Sequence, residues 1–264
     1  MADDLVTSGY DAVYEALPRS PTFRRIWSEL ACGPDYPSDF SHISFLTRRE
    51  LVAVSERLAL PRSGTLLDLA CGAGGPGLWL ASDTGAGLVG IDLSRMGLVR
   101  AGERARRVAV RPASFVRSPF SPLPLRTGAA DGAVSFDALQ YAPDKGAALR
   151  EAARVLRQGA RLVASVFEVE CERVADLPVL GDGPVADYRP ILEAEGFTVD
   201  HYEETPGWRQ RVTSAYQAVI DGADRLSEEL GPPAYFALDS EMSLTLERDF
   251  YRRRVLFAAL RSWP

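Results

Sequence analysis

Short apolar runs alternate with segments of helical spacing from Leu66 to Phe167. The first run covers residues 66–69, and a helical segment follows it after a glycine-rich stretch. A second run covers residues 87–91. Because short strands that alternate with helices are typical of parallel sheets, this pattern predicts a sheet with helices packed on it.

The chain before this region also has helical spacing. Residues 5–32 carry regularly spaced apolar side chains that Pro18 and Pro21 interrupt. Residues 47–60 predict a further helix, because Thr47 is followed three residues later by a glutamate, as in a capping box.

The region after Phe167 continues the alternation and then becomes helical. A helix is predicted near residues 185–195 and a strand near 197–202, with Gly196 ending the helix. Residues 208–249 are helical in pattern, and residues 250–260 predict a last strand.

The glycine-rich stretch is the most informative part of the chain. Asp68 lies in the first strand, and residues 72–77 follow in the pattern G-x-G-x-x-G. Glycines allow the backbone to turn tightly and to approach a ligand beside a helix N-terminus. Asp92 ends the second strand, twenty positions after Gly72, where a carboxylate can accept hydrogen bonds from ribose hydroxyls. These residues predict a nucleotide-cofactor site.

Charge indicates which cofactor the loop favours. Asp68 places a carboxylate beside the position of a dinucleotide's pyrophosphate, and Pro76 lacks a backbone N–H that an anion needs there. The same carboxylate attracts a ligand that carries ammonium and sulfonium groups. We therefore favour S-adenosylmethionine, and an NAD(P)-dependent oxidoreductase stays an alternative because a lone glycine pattern is weak evidence.

Four segments in order resemble the class I S-adenosylmethionine-dependent methyltransferases, in particular their small-molecule (methyltransferase type 11-like) group. The segments are LLDLACGAGGPGLWLA at 66–81, LVGIDLS at 88–94, AADGAVSFDALQYAPD at 129–144 and ALREAARVLRQGARLVASVF at 148–167. The resemblance implies an α/β fold: a Rossmann-like, doubly wound, mostly parallel seven-stranded sheet with helices on both faces, plus N-terminal and C-terminal helical lid elements.

The resemblance also implies how the chain is divided. Residues 61–207 would form the Rossmann-like S-adenosylmethionine-binding core, and residues 250–264 its last strand. Residues 1–60 would form an N-terminal helical lid segment. Residues 208–249 would be a helical insertion within the last hairpin, acting as a substrate lid over the carboxyl ends of the strands.

Cofactor contacts follow from the positions that match the family's motifs. Asp68 is expected to orient the methionyl amine, and Asp92 to bond the ribose. Ala70 replaces the first glycine of the family's loop, and Ser118 and Phe120 stand near the place of an aspartate that often contacts the adenine. The predicted cofactor-binding residues are Asp68, Ala70, Gly72, Gly74, Asp92, Leu93, Ser118, Pro119, Phe120 and Asp137.

Candidate proton acceptors lie where the fourth strand ends. Asp137 or Tyr141 can take a proton from a hydroxyl or amine nucleophile there. His42, in the N-terminal lid segment, is a third candidate because an imidazole titrates near neutrality. A structural role stays open for each of the three, and His201 in the sixth strand is expected to be structural.

Composition limits the other possibilities. The chain has 264 residues and a net charge of −6, whereas nucleic-acid binding needs a clustered basic face. Its beginning, MADDLVTSGY, lacks the pattern of a signal peptide, and no apolar run approaches the length of a membrane span. Three widely spaced cysteines show no metal-ligand pattern. We expect a cytoplasmic monomer or homodimer that binds a small molecule, with no metal, membrane or nucleic acid.

The expected reaction is methyl transfer to an O, N or C nucleophile of a small organic molecule, in specialised metabolism. The leaving thioether is neutral, so the protein's main task is to align donor and acceptor. Two other functions stay open: a cyclase or rearrangement enzyme that uses the cofactor without methyl transfer, and a non-catalytic binding module.

Overall fold

The computed structural model describes residues 2–37, 43–174 and 183–262, with side chains described from Ser8 onwards. Within these residues, seven strands form one sheet in the order β3-β2-β1-β4-β5-β7-β6, and β7 runs antiparallel to both of its neighbours. The strands are β1 (Thr65–Leu69), β2 (Gly87–Asp92), β3 (Ala113–Arg117), β4 (Ala130–Phe136), β5 (Leu156–Val169), β6 (Phe197–Glu204) and β7 (Tyr251–Arg261). The predicted mostly parallel, doubly wound sheet is confirmed.

The helices of the described residues follow the predicted order. They are α1 (Ala2–Ala16), α2 (Pro21–Ile26), α3 (Arg48–Leu58), α4 (Gly75–Thr84), α5 (Arg95–Arg107), α6 (Lys145–Val155), α7 (Cys171–Val174), α8 (Arg189–Ala194), α9 (Trp208–Asp221), α10 (Ala223–Leu230) and α11 (Pro232–Arg248). None of them is long and apolar enough to cross a membrane.

Local sequence signals explain where several helices begin and end. The predicted capping box of α3 is present, with both hydrogen bonds between Thr47 and Glu50. Helix α8 is shorter than predicted and begins at Arg189. The backbone N–H of Arg189 donates to the side chain of Asp187 at 2.9 Å. Gly196 follows that helix at φ +85°, a left-handed conformation that glycine adopts readily.

Each face of the sheet has its own hydrophobic core. Leu66 of β1 is fully buried with residues of α3 and α4, whereas Leu67 and Leu69 pack with residues of α6 and α8 on the other face. Successive residues of a strand point to opposite faces. The apolar run at 66–69 therefore fills both cores.

A third core lies at the carboxyl ends of the parallel strands. It joins α1, α2 and α9–α11 to the ends of β5 and β7 through buried aromatic side chains such as Trp27, Phe167 and Trp208. Glu229 of α10 also accepts hydrogen bonds from Ser20 Oγ at 2.7 Å and Thr22 Oγ1 at 2.8 Å. The N-terminal segment and the insertion thus pack into one unit, which we call the cap (α1, α2 and α9–α11).

Candidate active site

The loop after β1 is held in a left-handed conformation at several residues. Ala70, Gly72 and Gly74 have φ angles of +60°, +50° and +72°. A Cβ atom on Gly72 would overlap with the hydroxyl of Tyr14, and one on Gly77 would overlap with the carboxylate of Asp68. Glycine is therefore required at both positions, and Ala70 adopts a conformation that disfavours a side chain.

Asp92 joins this loop to the end of β2. Its Oδ2 accepts a hydrogen bond from the backbone N–H of Gly72 at 2.7 Å, and its Oδ1 accepts one from the N–H of Ser94 at 2.7 Å. Burial raises the pKa of the Asp92 carboxyl, and the backbone hydrogen bonds partly offset this effect. The carboxylate lies at the predicted position, and its bond to a ribose stays a prediction.

Asp68 is the second carboxylate that borders the loop. Its side chain is buried, and its Oδ2 has no hydrogen-bond partner among the described residues. Burial, and then the charge of Asp92, raises the pKa of Asp68 well above its usual range. A buried acceptor without a partner is unfavourable. An ammonium group would provide that partner, so the loop fits S-adenosylmethionine.

The remaining predicted cofactor residues lie along the same edge of the sheet. The backbone N–H of Ser118 donates to the carbonyl of Asp92 at 3.1 Å, which places the segment after β3 beside Asp92. The Ser118 hydroxyl itself donates to the carbonyl of Pro119 at 3.1 Å, and Phe120 is half-buried. Leu93 is 38% exposed. The predicted adenine contacts of this segment stay predictions.

Helix α1 covers the cofactor loop. Tyr14 lies over Gly72, and burial, followed by the charge of Asp92, raises the pKa of its phenol well above the usual range. Asp11 accepts hydrogen bonds from the Ser94 hydroxyl at 2.5 Å and from the N–H of Met96 at 3.0 Å. Ser94 is also the N-cap of α5. The helical spacing of residues 5–32 indicated α1 but not its contact with this loop.

Asp137 forms a buried ion pair. It lies directly after β4 at φ +53°, and its oxygens accept hydrogen bonds from Arg254 at 2.8 and 3.2 Å. Ser165 Oγ and the backbone N–H of Phe45 donate to it as well, each at 2.8 Å. All four hydrogen bonds stabilise the ionised carboxylate. Its predicted roles as cofactor ligand and proton acceptor stay predictions, and the geometry gives it a structural partner.

Arg254 extends this ion pair into α3. Its guanidinium group is fully buried and donates to Glu50 Oε1 at 2.7 Å and to Thr205 Oγ1 at 3.1 Å. Arg211 of α9 reaches the same oxygen of Glu50 at 3.4 Å. The network fixes β7, α3 and the cap to the end of β4.

Tyr141 takes part in a different group of side chains. Its hydroxyl donates to Glu241 Oε1 at 2.6 Å, and the hydroxyl of Tyr10 donates to Glu241 Oε2 at 3.0 Å. Tyr251 places its hydroxyl 3.5 Å from that of Tyr141. We call these four residues the phenol–carboxylate cluster. Sequence reasoning missed Glu241, because a single acid in an amphipathic helix carries no signal that distinguishes it from a surface residue.

The two histidines contribute differently to this picture. His42 lies outside the described residues, so its predicted role stays a prediction. His201 of β6 lies against Arg57 of α3, with 3.3 Å between Nδ1 and the guanidinium Nη2. Burial, and then the charge of Arg57, lowers the pKa of that imidazole.

Comparison with known proteins agrees with this geometry. A family model described as a methyltransferase domain matches residues 67–164. The 27-O-demethylrifamycin SV methyltransferase of Amycolatopsis mediterranei is 26% identical over 77% of this chain and 79% of its own length. Methyltransferase GfsG of Streptomyces halstedii is 34% identical over a match that covers 49% of this chain and 46% of the length of that relative.

A solved structure extends the likeness to the cap. The crystal structure of the [4+2]-cyclase SpnF superposes with a TM-score of 0.74 over 98% of this chain and 96% of its own, at 22% identity. At that identity the likeness shows the fold alone. The matched domain, the relatives and the sheet order agree with the resemblance to the class I S-adenosylmethionine-dependent methyltransferases, and residues 67–164 match their methyltransferase domain.

Proposed function

We propose that this protein transfers the methyl group of S-adenosylmethionine to a hydroxyl oxygen of a small, largely apolar organic molecule in specialised metabolism. The observation that carries the proposal is the cofactor loop bordered by two carboxylates, with an Asp68 oxygen that lies beside Gly77 and has no hydrogen-bond partner among the described residues. The O-methyltransferase named among the relatives supports oxygen as the acceptor.

The residues of the chain hold the donor in place. Asp68 binds the ammonium group, and Asp92 binds the ribose hydroxyls. The bound cofactor supplies an electrophilic methyl group on a positively charged sulfur and leaves as a neutral thioether. Because no acid is needed for that leaving group, orientation of the two reactants contributes most, up to about 7–11 kcal/mol.

The cap shapes the acceptor side and excludes water. Tyr10, Tyr14 and Tyr141 are only half-buried by surface area, although burial raises the pKa of all three phenols. We infer that these three phenols border the acceptor site, because each keeps accessible surface beside the cofactor loop or within the cap. A site lined by phenols suits an aromatic or polyketide-like molecule that carries hydroxyl groups.

Other parts of the proposal concern the setting of the reaction. The protein acts in the cytoplasm as a monomer or homodimer and needs no nucleic acid, which its net charge of −6 supports. Residues 208–249 act as the substrate lid on the core formed by residues 61–207. Size-exclusion chromatography with light scattering measures the oligomeric state.

The likeness to SpnF favours one second candidate, a cyclase that binds the cofactor without transferring its methyl group. Methyl-labelled S-adenosylmethionine separates the two functions. The protein and the labelled cofactor are mixed with an extract of the producing cell, and the products are examined for label. We expect label in one small product together with S-adenosylhomocysteine. Unchanged cofactor with a rearranged product would support the cyclase, and failure to bind the cofactor in calorimetry would reject both functions.

A further inference from the structure

Glu241 has no function in the methyl-donor site described above. It lies on α11 inside the cap, and no cation pairs with it among the described residues. Its hydrogen-bond donors are the phenols of Tyr10 and Tyr141. A carboxylate in apolar surroundings is unfavourable for stability unless a cation compensates for it. Its presence therefore needs an explanation other than folding.

The groups that face Glu241 come from four elements, and the ones that titrate are phenols. They are Tyr10 and Tyr14 of α1, Tyr141 after β4, Tyr216 of α9 and Tyr251 of β7. Three further acids act on these phenols: Asp137, which is paired with Arg254, acts on Tyr216 and Tyr251, whereas Asp92 and Asp68 act on Tyr14. Among the described residues, Glu241 accepts hydrogen bonds from two of these phenols and pairs with no cation.

The surroundings of Glu241 raise its pKa and so favour proton uptake. Burial raises its pKa, and the hydrogen bonds from Tyr141 and Tyr10 only partly oppose the rise. Burial and the charge of Glu241 raise the pKa of Tyr141 well above its usual range, so the phenol stays neutral. A neutral phenol can accept one proton while it donates its own, and a general base is most effective when its pKa is near the working pH.

The position of Tyr141 connects this pair to the reaction. It follows β4 four residues after Asp137, at the carboxyl edge of the sheet where the cofactor loop also lies. The 2.6 Å hydrogen bond from its hydroxyl to Glu241 provides a short path into the cap. Asp137, the other candidate at this edge, already accepts four hydrogen bonds.

We infer that Glu241 is the terminal proton acceptor of the methyl transfer and that Tyr141 relays the proton to it; this inference rests on the proposed function. The substrate oxygen forms a bond to the methyl carbon, and the carbon–sulfur bond breaks with its electron pair on sulfur. The hydroxyl proton passes to Tyr141 Oη while the phenol's own proton passes to Glu241 Oε1. Deprotonation to water then restores the carboxylate.

The same arrangement defines a substrate class. A neutral alcohol or phenol can donate its hydrogen bond to Tyr141, whereas a carboxylate or phosphate group would be repelled by Glu241. The acceptor is therefore a neutral molecule with a hydroxyl group at the reacting end.

The first experiment compares Glu241→Gln with Glu247→Gln, an exposed position on the same helix. The acceptor is the extract fraction that acquires label from the cofactor. We expect Glu241→Gln to lower kcat by about 10²- to 10⁴-fold, a range typical of general-base removal, while calorimetry shows unchanged cofactor affinity. The kcat/KM of the unmodified protein should rise with pH through the pKa of Glu241, and this rise should be absent from Glu241→Gln.

The second experiment needs neither cofactor nor turnover. Infrared difference spectra between the unmodified protein and Glu241→Gln isolate the carboxyl band of Glu241, which is followed as the pH is raised. We expect the band to persist above the ordinary glutamate pKa of about 4.3. In Tyr141→Phe and in Tyr10→Phe the band should persist to higher pH, because the hydrogen bond from each phenol lowers the pKa of Glu241. In a separate turnover assay, Tyr141→Phe should also slow methyl transfer strongly.

The outcomes separate this inference from the proposed function. Absence of methyl transfer by the unmodified protein would reject the proposed function, and the inference with it. Normal transfer together with an unchanged rate and pH profile in Glu241→Gln would overturn the inference alone. A Glu241 band that titrates in the ordinary range would also overturn it.

Discussion

The cofactor loop and the phenol–carboxylate cluster are assembled in opposite ways. Asp68, Gly72 and Asp92 come from one strand–helix–strand unit, and their contacts span about twenty residues. The hydrogen bonds of Glu241 instead join residues separated by 231 and 100 positions. A site built from one unit leaves a pattern in the sequence. A site built from distant segments exists only after the cap has packed on the sheet.

Buried carboxylates are also compensated differently in these two regions and in the Arg254 network that connects the cap to the sheet. No cation among the described residues pairs with Asp68 or Glu241, and burial raises the pKa of each. In the Arg254 network, by contrast, Asp137 and Glu50 both pair with the buried guanidinium group of Arg254. The Arg254 network therefore contributes to stability, whereas the proposals above assign a ligand to Asp68 and a proton to Glu241.

Removal of Arg254 should have the largest effect on this comparison. Arg254→Met leaves Asp137 buried without its cation and leaves Glu50 with Arg211 alone, and breaking a buried pair typically reduces the free energy of unfolding by about 3–5 kcal/mol. Urea denaturation measures it. Arg252→Met, at an exposed position of the same strand, is the control and should change little. Equal stability of the two variants would show that the network contributes nothing to joining the cap to the sheet.

Substitution of Asp92 tests the cofactor region alone. Asp92→Ala removes the proposed acceptor for the ribose and should weaken S-adenosylmethionine binding by about 1.5–3 kcal/mol, or roughly 10- to 150-fold. Calorimetry measures the affinity, with Glu103→Ala on the exposed side of α5 as the control. An affinity equal to that of the unmodified protein would remove Asp92 from the site.

Proton release on cofactor binding tests the unpaired state of Asp68. Burial raises the pKa of Asp68, so the protonated carboxyl group stabilises the folded protein relative to the unfolded chain. This contribution is complete below the ordinary carboxyl pKa and is lost as the pH rises through the raised pKa. A bound ammonium group favours the ionised form and lowers that pKa. Binding within this pH window should therefore release protons.

Calorimetry in buffers of different ionisation enthalpy counts the released protons. Asp68→Asn should release fewer, whereas Glu241→Gln should leave the count unchanged. If the heat of binding is independent of the buffer throughout the window, Asp68 is already ionised before the cofactor binds.

The smallest effect is expected at Ala70. Its left-handed backbone is disfavoured by about 1–2 kcal/mol for a residue with a side chain, and the greater freedom of unfolded glycine offsets about 0.5–1 kcal/mol of this. Ala70→Gly should thus raise the free energy of unfolding by about 0.5–1 kcal/mol. Ala73→Gly, in the same loop but without a left-handed conformation, should lower it instead. Thermal unfolding compares the two variants. A loss of stability in Ala70→Gly would show that the left-handed conformation of Ala70 is not strained.

The amino-acid sequence by itself determined the sheet, the capping box of α3 and the cofactor loop. Each depends on residues that are close along the chain: apolar runs form strands, Thr47 and Glu50 cap a helix, and glycines permit a turn beside Asp68. Tertiary structure alone decided that Arg254 pairs with Asp137 and that Glu241 meets Tyr141. Such long-range contacts depend on how α1 and α11 pack over the strands, and the hydrophobic effect that drives this packing is non-directional. The spacing of apolar residues therefore shows that a helix will be buried, but not which distant polar group its side chains will contact.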